Sequence, residues 1–146
     1  MNDDQIDLVD WMHFEKSRSD LGPGFIRILS YFREDGAKSL VQIEAAMHEA
    51  NTVGLVLPAH TLKGEARQFG AEPLAAVAEV IEATARSCVE THRFPDELVP
   101  DVVKLRELFT ATIELFEKAT NPLVTRASQG AFGKRATTSN QSFGRI

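Results

Sequence analysis

The feature that most constrains the fold of this chain is the spacing of its apolar residues, which recur at steps of three and four. This spacing is typical of amphipathic helices, and no stretch of useful length alternates as a half-buried β-strand does. The stripes predict four helices, over residues 25–47, 52–69, 72–91 and 96–119. Because each stripe must be buried against its neighbours, we predict an all-α fold. It is an antiparallel up-down-up-down four-helix bundle, with a short N-terminal helix over residues 7–18 covering one end.

Three residues bear on the course of these helices. Gly36 lies inside the first long stretch and is compatible with a bend or a break near Asp35-Gly36. Pro58 interrupts the second stretch and leaves open whether the helix is kinked there. Asp96 is a suitable N-cap, and we expect it to begin the fourth helix.

Charge is unevenly distributed along the chain. The net charge is −5, but residues 120–146 contain four cations and no acid, so residues 1–119 carry −9. An acidic body argues against nucleic acid as the main partner. The length and this division predict one domain over residues 1–120 and a basic, flexible C-terminal tail over residues 121–146.

Several observations bear on the compartment. No apolar run approaches the roughly 18 residues that a membrane span needs, and the acidic N-terminus lacks the pattern of a secretory signal. The single cysteine, Cys88, can form no internal disulfide and is expected to be a small core residue. We therefore expect a cytoplasmic protein that does not contact the membrane.

The segment around residues 58–71 carries the most informative polar residues. At about 100° per helical residue, one side of it is apolar and is expected to be buried. That side comprises Leu55, Ala59, Leu62, Ala66 and Phe69. Lys63, Gly64 and Arg67 fall on the other side, around His60. We therefore expect His60 to face solvent, flanked by two cations and a glycine.

These residue types suit phosphoryl transfer, which needs a positioned nucleophile and positive charge near the phosphoryl oxygens. A neutral imidazole at His60 is a competent nucleophile. Lys63, one turn along, supplies charge, and Arg67 offers a second contact to phosphate or to a partner. Gly64 removes a side chain that would obstruct a docking partner, and Gln68 is a further candidate contact on the same segment.

The segment resembles the signature of the histidine-containing phosphotransfer (HPt) family, in which the phosphorylated histidine is followed by lysine at the third and glycine at the fourth position. Here these are His60, Lys63 and Gly64, and a Gly70-Ala71 pair ends the helix as in the family. The resemblance extends over about residues 8–119. It implies a monomeric bundle phosphorylated on Nε2 of His60, with receiver domains of hybrid kinases and response regulators as partners. It implies no cofactor in this chain, because the receiver brings the aspartate and the Mg²⁺ ion.

The sequence thus predicts a histidine phosphotransfer protein of a two-component phosphorelay, a carrier and not an enzyme, since no Gly-rich nucleotide loop is present. Glu65, Arg67 and Gln68 depart from the small or neutral residues of many family members, which predicts an unusual partner surface. One alternative is a pseudo-HPt module that binds receivers without phosphotransfer. Another is the dimerising phosphoacceptor part of a sensor kinase, although the chain shows neither a dimer-forming hairpin nor a nucleotide-binding domain.

Overall fold

The computed structural model describes residues 7–121, and these form helices without any strand. The five helices are α1 (Trp11–Leu21), α2 (Phe25–His48), α3 (Thr52–Gln68), α4 (Glu72–Glu90) and α5 (Val99–Thr120). Short 3₁₀ turns, Gly22–Gly24 and Asp96–Leu98, precede α2 and α5. The predicted all-α fold of four long helices behind a short N-terminal one is confirmed.

By its internal contacts the chain divides into residues 1–112 and 113–146, and the packing that follows lies within the first unit. Helix α3 packs against both α2 and α4, because three-residue connections turn the chain back on itself at each end of α3. An aromatic cluster joins α1, α2, α5 and the end of α3. Successive ring centroids lie 5.3–5.8 Å apart along Phe14, Phe25, Phe69, Phe32 and Phe109.

Helix α1 begins and ends later than the predicted residues 7–18, because its first backbone amides are capped by Asp10. The Asp10 carboxylate accepts a hydrogen bond from the backbone N–H of His13 at 3.2 Å. The backbone N–H of Asp10 donates to the Gly70 carbonyl at 2.8 Å, and the Ser17 hydroxyl donates to the Gln68 carbonyl at 2.6 Å. Helix α1 therefore holds the C-terminal end of α3.

Helix α2 runs unbroken through Gly36, so the break considered for Asp35-Gly36 is wrong. A Cβ atom at this buried position would lie 2.4 Å from Cε1 of Phe109. The glycine thus serves the close approach of α5 to α2, and a bidentate ion pair from Arg106 to Glu44 at 2.6 and 2.8 Å joins the same two helices.

Helix α3 begins after Asn51, whose side chain caps the Gly54 amide at 3.0 Å. It continues through Pro58, which is buried within the helix. It ends before Gly70, whose positive φ of 80° is a conformation that favours glycine. A continuous helix therefore extends on both sides of His60.

Asp96 does not cap the last helix as predicted. It begins a 3₁₀ turn after Pro95, with no side-chain cap, and α5 starts at Val99. The proline's fixed φ and the tighter turn redirect the chain before the α-helix begins.

No helix within residues 7–121 is both long enough and apolar enough to cross a membrane. The predicted tail lies outside the described residues except for Asn121, so the boundary between bundle and tail stays a prediction.

Candidate functional site

Helix α3 presents the His60 ring on its outer side. The five residues predicted to form the opposite, buried side are all 0–1% exposed. The His60 side chain is 55% exposed, in agreement with its position on the helical wheel. Burial of one face therefore orients the ring outward.

A carboxylate from α4 meets the inner edge of this ring. The Oε2 atom of Glu82 lies 2.9 Å from Nδ1 of His60, and the Glu82 side chain is only 7% exposed. The ammonium of Lys63 lies 2.7 Å from Oε1, and the guanidinium of Arg86 reaches Oε2 at 2.9–3.0 Å. The buried Glu82 carboxylate thus contacts His60, Lys63 and Arg86 at the same time.

These contacts determine the charge of Glu82. Burial alone raises the pKa of a carboxyl group, but hydrogen bonds from Lys63, Arg86 and His60, with the charge of Lys63, outweigh it and lower the Glu82 pKa to about 2. An ionised carboxylate can only accept hydrogen bonds, so Nδ1 of His60 carries the proton. The lone pair therefore resides on Nε2, for which no hydrogen bond is seen within residues 7–121.

Sequence reasoning missed Glu82 and Arg86. They lie 22 and 26 residues beyond His60, and only the packing of α4 on α3 brings them to the ring. Their sole signal was an i,i+4 pair of opposite charge beside the apolar stripe of α4, a pattern that is common on solvated helix faces.

The predicted site residues Lys63 and Gly64 both lie beside His60. The Lys63 side chain is 20% exposed, with its ammonium turned toward Glu82. Gly64 is exposed, and no atom lies within 4 Å of where its Cβ would stand. The surface one turn beyond His60 is consequently open.

Arg67 and Gln68 have other partners. The Arg67 guanidinium pairs with Glu79 and approaches Glu72 at 3.9 Å, both carboxylates of α4. The backbone carbonyl of Gln68 accepts hydrogen bonds from two α1 side chains, the Ser17 hydroxyl and Nε2 of His13 at 3.1 Å. Both residues thus take part in helix packing at the end of α3.

Glu65, next to Gly64, is a second carboxyl group of interest, and it faces α2. Its Oε1 atom is shielded from solvent and has no hydrogen-bond partner within the described residues. Burial, and then the negative charge of Asp35 on α2, raise the pKa of Glu65 to about 7. The sequence alone reveals neither effect, since both depend on the distance between two helices.

Other candidate chemistry is sparse in this part of the chain. Cys88 is buried, as predicted. His13, His48 and His92 are exposed, and no three metal-ligating side chains gather within residues 7–121.

Comparison with known proteins agrees with this geometry. A family model for the Hpt domain matches residues 27–115, which include His60, Lys63, Gly64, Glu82 and Arg86. A solved structure, histidine-containing phosphotransfer protein B (HptB) from Pseudomonas aeruginosa PAO1, is similar in fold with a TM-score of 0.68. It is 20% identical, and the alignment covers 79% of this chain and 96% of that one. A search of curated proteins found no match. Since the family model covers more than half of the chain, this protein belongs to the Hpt domain family of histidine-containing phosphotransfer domains.

Proposed function

We propose that this protein carries a phosphoryl group on Nε2 of His60 between receiver domains of a two-component phosphorelay. The observation that supports it best is the hydrogen bond between Nδ1 and Glu82, which leaves the Nε2 lone pair on a ring that is 55% exposed. The nucleophile is therefore positioned before any partner arrives.

In the proposed transfer, the Nε2 lone pair attacks the phosphorus of an aspartyl phosphate in line with the bond that breaks. A P–N bond forms, the P–O bond breaks, and its electron pair stays on the aspartate of the receiver. Lys63 and Arg86 place two positive charges beside the ring, where they stabilise phosphoryl oxygens. The receiver supplies the aspartate and its Mg²⁺ ion.

The face around His60 suits the docking of a protein. Val53, Leu57 and Gly64 fall within about 60° of His60 around α3. Val53 and Leu57 are 67% and 70% exposed, and Gly64 adds no side chain. An apolar rim around a polar centre is a surface that a receiver domain can cover.

The proposal includes a monomeric, cytoplasmic carrier without autokinase activity, and residues 1–120 as its phosphotransfer domain. Receiver domains of a hybrid kinase and of a response regulator are the proposed partners. A second receiver takes the phosphoryl group when its aspartate attacks the phosphohistidine by the reverse of the first step.

The test is phosphotransfer from a panel of labelled phosphoreceivers to the full chain, following acid-labile label. We expect label on the wild type and on His48→Gln, a control at another exposed histidine, and none on His60→Gln. Lys63→Ala should accept label more slowly while still folded, with a lower thermal melt because the buried Glu82 carboxylate loses one of its cations. Label retained on His60→Gln would refute the site, and receiver binding without any transfer would identify a docking module instead.

A further inference from the structure

We infer that His60 keeps its Nδ1 proton, held on Glu82, through the whole transfer cycle, so that the phosphoryl group arrives and leaves at Nε2 without any proton moving. Glu82 is then a positioning residue that also balances charge. This inference rests on the proposed function and concerns how the ring alternates between nucleophile and leaving group.

The carboxylate is fixed in place from two helices. Lys63 on α3 holds one oxygen at 2.7 Å, and Arg86 on α4 holds the other at 2.9–3.0 Å. The second oxygen is the one that accepts the Nδ1 proton at 2.9 Å. With both oxygens engaged and only 7% of the side chain exposed, the carboxylate cannot turn away from the ring without losing a cation.

The charges facing the unphosphorylated ring suit its neutral form. Lys63 comes from α3, and Glu82 and Arg86 come from α4. Glu79, one turn earlier on α4, is neutralised by Arg67. Glu65, which lies near Asp35 of α2, is about 140° around α3 from His60 and so does not face the ring. Two cations and one carboxylate leave one net positive charge, which suits a neutral imidazole with its lone pair on Nε2.

Phosphorylation reverses this balance. A phosphoryl group adds a charge of about −2, so the surroundings of the ring change from one net positive to one net negative charge. A positively charged ring, substituted at Nε2 and still protonated at Nδ1, then compensates. The same proton therefore suits both states.

The retained proton also determines the leaving group. When the next aspartate attacks phosphorus, the P–N bond breaks and its electron pair returns to Nε2, so a protonated ring departs as neutral imidazole. A ring that had lost the Nδ1 proton would have to depart as an imidazolate anion, a much poorer leaving group. Glu82 thus keeps the phosphohistidine ready to donate.

The experiment uses the full chain with ¹⁵N-labelled histidine, phosphorylated chemically with phosphoramidate. NMR follows the Nδ1 proton of phosphorylated His60 against pH in the wild type, in Glu82→Gln and in Glu79→Gln. Glutamine keeps the size and the accepting oxygen but not the charge. We expect the wild type and Glu79→Gln to retain the proton to a pH at least about one unit higher than Glu82→Gln. Above the pH at which the phosphohistidine of Glu82→Gln loses its Nδ1 proton, its rate of phosphoryl donation to a receiver should fall about tenfold per pH unit. The rate of the wild type should not change over the same pH range.

The outcomes separate the two proposals. Equal titration in the wild type and Glu82→Gln would refute the retained proton while leaving phosphorylation of His60 intact. Failure of the wild type to accept phosphoryl groups on His60 from phosphoramidate and from receivers would refute the proposed function itself. If Glu82→Gln does not fold, the wild type alone decides, because loss of its Nδ1–H signal on phosphorylation at pH 7 would also refute the inference.

Discussion

Replacing Gly64 with alanine should raise the stability of this protein and impair its transfer. Gly64 lies inside α3 with no atom within 4 Å of the added Cβ, so the methyl group meets open space. Alanine is favoured over glycine in a helix interior by about 1 kcal/mol. For a domain of this size that corresponds to a rise in melting temperature of about 4 °C.

The same methyl group lies one turn from His60, on the face where the receiver is proposed to dock. It would hold the partner's backbone away from Nε2, and a displacement of about 1 Å at a reacting centre can cost about a hundredfold in rate. We therefore expect transfer from a phosphoreceiver to slow by about ten- to a hundredfold, measured as initial rates beside urea unfolding of the same preparation.

Gly36→Ala is the matched control. There the new Cβ would lie 2.4 Å from Cε1 of Phe109, whose ring packs against Phe32. Overpacking of this kind costs about 1–3 kcal/mol, so this variant should be less stable yet transfer normally while folded. The reasoning fails if Gly64→Ala transfers at the wild-type rate, or if it is destabilised as Gly36→Ala is.

Three further predictions concern residues around the site. Glu65 has a folded-state pKa near 7 against an ordinary 4.5, so stability is lost as pH rises between these values. Glu65→Gln should match the wild type near pH 4 and exceed it above pH 7 by about 1 kcal/mol, after allowance for solvent screening of a partly exposed group; equal denaturation curves at both pH values would contradict this. Gly70→Ala combines a positive φ with a Cβ placed 2.7 Å from the Asp10 carbonyl oxygen. It should lower unfolding free energy by about 2 kcal/mol or more, and an unchanged urea midpoint would argue against this strain. Arg67→Ala should slow transfer far less than Lys63→Ala, because α4 carboxylates already engage its guanidinium; a comparable loss of rate would instead place Arg67 on the phosphate.

The helices and their buried faces could be read from the sequence because helical periodicity is local. The apolar side of α3 was predicted residue by residue, and with it the outward position of His60. Helix ends were less predictable. Asp96 has the chemistry of a cap yet forms a 3₁₀ turn, and Asp10 begins α1 later than predicted. Capping depends on the path of the chain as well as on residue type.

The roles of the two helical glycines were also only partly predictable from the sequence. Gly36 and Gly64 are both glycines inside helices, and helical periodicity placed Gly64 on the outward side of α3 but did not show why a glycine stands at position 36. Only the position of Phe109 shows that Gly36 accommodates a neighbouring helix, whereas Gly64 faces open space.

By itself the sequence determined an all-α chain with an outward histidine and a lysine one turn beyond it, because residues three and four apart share a helix face whatever the rest of the chain does. Only the tertiary structure decided what lies against the ring. Helix α4 packs on α3 and brings Glu82, together with its i,i+4 partner Arg86, to Nδ1 of His60, a contact across 22 residues that no local spacing encodes. That packing therefore determines that Nδ1 carries the proton and that Nε2 is left to accept the phosphoryl group.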